Sequence, residues 1–120
     1  MAPEKQECGT LITIMGQVNC SKLDESTRWF AALFNRPPDA RPMDGLVEWH
    51  HGAGGLQLYQ HAANAGHSAL TLIVSDIATA VSGLRSAGRT VGQIEAGDHG
   101  SFMRLGDPDG NDIVLAQYYT

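Results

Sequence analysis

Few side chains in this chain are able to do chemistry. There are five histidines with His50 and His51 adjacent, the carboxylates Glu48 and Asp112, the amides Gln17 and Gln57, and two cysteines. A divalent ion needs several imidazole, carboxylate or thiolate donors converging on one point. His50 and His51 fall in an extended stretch, where neighbouring side chains point to opposite faces, so both rings cannot serve one ion. His61, His67 and His99 fall in or beside loops, where an imidazole is ordinarily solvated or bonded to backbone. General acid-base work needs only one well-placed group, for which Glu48, His50 and Asp112 are the candidates.

Other motifs carry less. Cys8 and Cys20 are too few and too far apart for a disulfide framework or a cysteine-rich zinc site. Cys20 shares the apolar side of its strand, where a thiol is buried and unreactive, whereas Cys8 is expected to be exposed and oxidisable. Ser26, Ser68 and Ser101 lack the strand-turn-helix setting of a nucleophile elbow. Gly52-Ala53-Gly54-Gly55 has no helix pattern behind it, so it reads as a turn and not a phosphate loop.

Elements must position these groups, and composition limits what they build. The 120 residues are 42% hydrophobic and 18% charged, which suits one globular domain over 1–120. Thirteen acidic against eight basic side chains give a net charge of −5, with no run of Lys or Arg. Nucleic acid is therefore not an expected partner, and a neutral or cationic small molecule fits the charge better. No stretch is long enough to cross a bilayer, and no basic segment precedes the apolar run 11–15, so a cytoplasmic location is expected.

Residues 11–19 alternate as a strand, with Ile12, Ile14 and Val18 on one side and Thr13, Met15, Gln17 and Asn19 on the other. Ser21 and Asp24 are candidate caps for a helix striped by Trp29, Phe30, Leu33 and Phe34 and stopped at Pro37-Pro38. Extended stretches follow at 40–43, 45–51 and 55–60. After a small polar linker the order returns: strand 68–74, a helix striped by Ile77, Val81 and Leu84 and closed by Gly88, then strands at 90–95, 101–105 and 111–117. Asp107-Pro108-Asp109-Gly110 is a type I turn. Cys20, Leu23 and Phe30 match Val74, Ile77 and Leu84 at an offset of 54, and Leu56 and Leu58 match Ile113 and Leu115 at 57. The expected fold is α+β: two βαβββ modules, about 10–61 and 67–118, forming a curved mixed sheet with helices on its outer face.

The segment Asp107-Pro108-Asp109-Gly110-Asn111-Asp112-Ile113-Val114-Leu115, supported by Val74-Ser75-Asp76-Ile77 and by the stretch from Leu23 to Phe30, resembles the vicinal oxygen chelate superfamily. That group includes glyoxalase I, extradiol dioxygenases and the fosfomycin-resistance and bleomycin-binding proteins. The resemblance runs from about residue 11 to 117. In catalytic members His, Glu or Gln side chains from the first and last strands of each half hold one metal. Carried onto this chain, the resemblance implies Met15, Gln57, Ala69 and Val114 at those places, and only Gln57 offers a donor. No metal and no cofactor are expected.

Side chains facing away from the helices would line a cleft. Met15, Gln17, Gln57, Tyr59, Thr71 and Val114 are assigned to it, together with Trp49 or His50 and Phe102 or Arg104, according to which face each strand buries. Polar groups among apolar and aromatic ones suit a small organic ligand. The expected function is metal-independent binding of such a molecule, for example an antibiotic, by a homodimer. The alternatives are a lyase, isomerase or other enzyme of the superfamily, or an interaction domain without a small ligand.

Overall fold

The computed structural model describes residues 9–119. The first module runs β1 (Met15–Cys20), α1 (Leu23–Phe34), β2 (Ala40–Met43), β3 (Leu46–His51) and β4 (Gly54–Gln60). The second repeats it as β5 (Ala69–Ile73), α2 (Ile77–Ser86), β6 (Glu95–Ala96), β7 (Gly100–Gly106) and β8 (Asp112–Tyr118). Each forms a four-stranded mixed sheet, in the orders β1-β4-β3-β2 and β5-β8-β7-β6. Within each, the first strand lies parallel to the last. The architecture is the α+β one expected, with the curved sheet delivered as two four-stranded pieces.

The helix faces of the two sheets share one apolar core. It takes in Val18, Phe30, Val47, Trp49, Leu56 and Leu58 from the first module, and Val81, Leu84, Met103, Ile113 and Leu115 from the second. The residues matched at offsets of 54 and 57 occupy matched places in it. Helix capping follows the same repeat. The N-cap of α1 is Lys22, and neither Ser21 nor Asp24 caps it; instead Leu23 N donates to Gln60 Oε1 at 2.9 Å. In the second module Ile77 N donates to Gln117 Oε1 at 2.8 Å. Gln60 and Gln117 stand 57 residues apart, so the last strand of each module satisfies the first free amide of its helix. The Asp76 carboxylate accepts from the Thr79 hydroxyl at 2.8 Å and, as a conventional cap, from Thr79 N; the hydroxyl first and the amide second hold Asp76 below the usual carboxylate range.

Two expected strands come out shorter, for reasons of pairing. Residues 11–14 precede β1 and are not laddered, because the parallel partner β4 begins at Gly54 and a turn precedes it. Leu11, Ile12 and Ile14 stay 72–78% exposed. Of 90–95 only the end pairs, as β6. Gly92 passes so close to Arg104 O that a Cβ there would sit 2.8 Å away.

The modules meet along β1 and β5 without a ladder between them. Gly16 lies against Leu70, and Asn111, fully buried, bridges the seam. Asn111 Nδ2 donates to Asn19 O at 2.9 Å and to Asp107 Oδ2 at 2.8 Å, and Asn111 Oδ1 accepts from Ser68 N at 2.8 Å. Beside it, Ser21 donates through its amide and hydroxyl to Asp109. The turn itself is closed by Gly110 N on Asp107 O at 2.9 Å, with Gly110 at φ +85°.

Removing the Asn111 amide leaves a buried N–H, a buried carbonyl and a carboxylate without their partner. Asn111→Ala is expected to lose about 3 kcal/mol of stability, seen as a fall in Tm of about 10 °C for a chain of this size. Asn111→Asp, similar in shape but charged against Asp107, should lose at least as much; a Tm within 2 °C of the parent, roughly half a kcal/mol, would refute the bridging role.

Candidate functional site

Each sheet has a face that no helix covers. The β1–β4 register opposes Gln17 to Gln57 and Asn19 to Tyr59, and the β3–β4 register opposes Glu48 to Gln57 and His50 to Gly55. Met15, Gln17, Glu48, His50, Gln57 and Tyr59 therefore share the open face of the first sheet. On the second, Ala69 opposes Asp112, Thr71 opposes Val114, and Val114 opposes Arg104, while Phe102 opposes Ala116. Nine of the ten expected lining residues, Met15, Gln17, His50, Gln57, Tyr59, Thr71, Phe102, Arg104 and Val114, lie on these open faces. Phe102 and Arg104 are two apart on β7 and point the same way, so they are not alternatives.

Trp49 is the correction. It opposes Leu56 on the helix side, is 2% exposed, and packs its ring against Phe34 with centroids 5.3 Å apart and against Phe30 at 6.1 Å. Its indole Nε1 donates to Arg36 O at 3.0 Å. Burying a large ring with its N–H satisfied favours the core over the rim.

A connected polar chain crosses the first open face. Gln17 Nε2 donates to Gln57 Oε1 at 3.1 Å, and Gln57 Nε2 donates to Glu48 Oε2 at 2.8 Å. The other Glu48 oxygen lies 2.9 Å from His50 Nε2. The amide of Gln57 first, and His50 second, hold the Glu48 carboxyl below its usual range. Glu48 was expected only as a candidate acid or base, yet it is the centre of this chain. The signal was available: a two-residue turn at Gly52-Ala53 pairs His51 with Gly54 and therefore Glu48 with Gln57. Gly55 fits that hairpin closely, since a Cβ on it would lie 2.1 Å from Trp49 O.

The second open face is differently charged. The Arg104 guanidinium carbon lies 5.5 Å from the Phe102 ring centroid, and Arg104 has no carboxylate within ion-pair distance among the described residues. Asp112, on the same face, is exposed at the start of β8.

The four strand positions where the resemblance implies metal ligands, Met15, Gln57, Ala69 and Val114, all lie on the open faces. A thioether, an amide, a methyl and an isopropyl group do not fit a hard or borderline divalent ion. Among the described residues, no three His, Cys, Asp or Glu side chains converge as a metal site.

A cleft of about 1210 Å³ opens elsewhere, where β1 and β5 part beyond Gly16 and Leu70. Leu33, Phe34, Leu56, Leu72 and Leu84 line it, with Thr71 and Ile73 at the edge of β5. Its lining is largely apolar and comes mostly from the helix side, although His50, the last member of the polar chain, reaches it beside Arg36 and His51. Cys20 is fully buried, and burial, reinforced by Asp109 and Asp107, pushes its thiol up to about 11 against a weaker opposing bond from Ser26. Cys8 lies outside the described residues.

No family model and no curated protein sequence matches the chain. Solved structures do. A glyoxalase/bleomycin resistance protein from Catenulispora acidiphila aligns with a TM-score of 0.81 at 21% identity, over 91% of this chain and 100% of that one. The fold is that of the glyoxalase and bleomycin-resistance proteins. An antibiotic-binding protein from a Streptomyces species aligns at 0.79 and 18% identity, over 92% of this chain and 98% of that one. A lactoylglutathione lyase from Agrobacterium tumefaciens aligns at 0.73 and 13%, over 88% and 92%. One fold thus carries binding proteins and an enzyme, and function has to be argued from the site. Among the described residues no helix is long and apolar enough to cross a membrane.

Two outcomes follow from these side chains. Because Glu48 is depressed in the folded chain, its contribution to stability is complete above the unfolded carboxyl value of about 4.3 and is lost as pH falls through the lower folded value. Tm should therefore fall less steeply from pH 6 to pH 3 in Glu48→Gln than in the parent; parallel curves would remove the assignment. In a Cys8→Ser background, Cys20 should resist a thiol reagent at pH 8 until denaturant is added, and prompt labelling of the native protein would contradict its burial.

Proposed function

We propose that this protein binds a small organic molecule, such as an antibiotic, on the open faces of its two sheets and does so without a metal ion. The observation that carries this reading is the chemistry of those faces. Hydrogen-bonding groups (Gln17, Glu48, Gln57, Thr71, Arg104) stand among Met15, Tyr59, Phe102 and Val114, and the four positions suited to metal ligands hold one weak donor between them. Likeness to an antibiotic-binding protein, and to a bleomycin-binding protein complexed with bleomycin at a TM-score of 0.70 and 19% identity, is in keeping with binding.

The working unit in this reading is a homodimer in the cytoplasm. A compact chain of this length has a radius of gyration of about 14 Å, and this one has 15.9 Å with extents of 47 × 39 × 25 Å. The surplus surface includes Leu11, Ile12, Ile14 and Ile73, all more than half exposed, which a second copy would cover. The second reading is a lyase or isomerase, favoured by the contact between Glu48 and His50, an acid and an imidazole poised for proton transfer.

A thermal-shift screen of antibiotics, bleomycin among them, tests the first reading. A ligand present at a hundredfold its Kd and bound only by the folded state adds about 2.7 kcal/mol, a rise of several degrees. Elemental analysis of the purified protein accompanies it. Stoichiometric zinc, nickel, iron or manganese would sink the metal-free reading, and a screen without a single shift would sink the binding one.

A further inference from the structure

The polar chain on the first open face is more than a set of rim contacts, because its bonding leaves one group charged and aimed at the opening. Gln57 is fixed at both ends, accepting from Gln17 and donating to Glu48. The ionised carboxylate can only accept, so it draws the Gln57 NH₂ toward itself and leaves the Gln57 oxygen to Gln17. The Glu48 side chain is 15% exposed, enough to be reached. Its second oxygen is covered by the His50 imidazole, itself 49% exposed and resting on the carboxylate from outside.

We infer that Glu48 is a subsite for a basic group of the ligand, an amine or amidine, and that the His50 imidazole is a built-in competitor which the ligand displaces. The inference rests on open-face binding as proposed above. A planar amidinium presents two parallel N–H donors, the pattern a carboxylate accepts in bidentate fashion. His50 offers one N–H from a ring that can swing away, since its own backbone is anchored independently: His50 N donates to Asp39 Oδ2 at 2.6 Å, and Arg36 donates to His50 O.

Competition of this kind depends on pH, because an imidazolium holds the carboxylate as an ion pair and a neutral imidazole holds it by a hydrogen bond only. Charges around His50 do not confuse the effect. Arg36 and Asp39, from the segment between α1 and β2, are paired with each other at 3.0 Å. On β2 the residue opposite Glu48 is Ala40, with Arg41 exposed beside it. On β4 the neighbours are Gly55 and Gln57, with Tyr59 further along the same face. His51 points to the opposite face. Glu48, held below the usual carboxylate range, keeps its charge at mildly acidic pH.

The test is a titration followed by NMR of the full chain with two probes of the same shape, benzamidine (cationic) and benzamide (neutral). At pH 7.5 benzamidine should move the side-chain amide signals of Gln17 and Gln57, and benzamide should not. Glu48→Gln should weaken benzamidine at least tenfold. In the parent, binding should weaken about tenfold between pH 7.5 and pH 5.5, as a charge-assisted pair replaces a neutral one, and His50→Gln should bind equally at both. Equal shifts from both probes, with Glu48→Gln unaffected, would leave open-face binding standing and overturn the charge subsite. No shift at Gln17 or Gln57 from either probe would overturn the subsite too, while the antibiotic screen would still decide the broader reading. A pH dependence that survives in His50→Gln would overturn the competition alone.

Discussion

A single buried amide holds the two halves of this molecule in register. Asn111 uses its NH₂ and its carbonyl on three partners from three parts of the chain: Asn19 O on β1, Ser68 N before β5, and the carboxylate of its own turn. Apolar contact alone, as between Gly16 and Leu70, tolerates sliding, because hydrophobic attraction has no direction. A buried hydrogen-bond network does not, since each displaced donor or acceptor is left unsatisfied. The relative placing of the two open faces, and so of any molecule touching both, is set here. The turn does a second job through Asp109, which receives Ser21 just before α1, so the second module also fastens the start of the first module's helix.

What could be read from the sequence was whatever depends on local pattern. Strand alternation told the two faces apart, and the matched residues at 54 and 57 foretold a common topology. The turn within Gly52-Ala53-Gly54-Gly55 is legible, and once His51 pairs with Gly54 the register brings Glu48 to Gln57. Contacts made at long range had no such pattern behind them. Asn111 and Asn19 are 92 residues apart, and nothing in the letters of the turn distinguishes an asparagine that closes a hairpin from one that also closes a seam. Trp49 needed knowledge of which strand face meets α1. The unpaired start at residues 11–14 needed knowledge of where the partner strand ends.

The helix caps show how much an internal repeat conceals when its identity is low. Gln60 and Gln117 do the same work at the same offset, yet surrounding residues differ enough that the pair does not stand out. The role survives because geometry demands it. A strand that runs parallel to β1 and ends beside the next helix places its last polar side chain at the first of the amides that the helix cannot satisfy itself.

The same register argument puts different charges at one matched place of the two open faces. Gln57 and Val114 are matched at 57, and the residues facing them across the ladder are Glu48 and Arg104. One duplicated place therefore holds a carboxylate in the first module and a guanidinium in the second. The surrounding positions have diverged in step: Met15 and Gln17 correspond to Ala69 and Thr71, and Tyr59 to Ala116. On the first face the charge is tethered within a chain of amides; on the second the guanidinium stands over an aromatic ring, with no carboxylate within ion-pair distance among the described residues. The duplicated backbone thus keeps one register while the side chains at its matched places carry different chemistry.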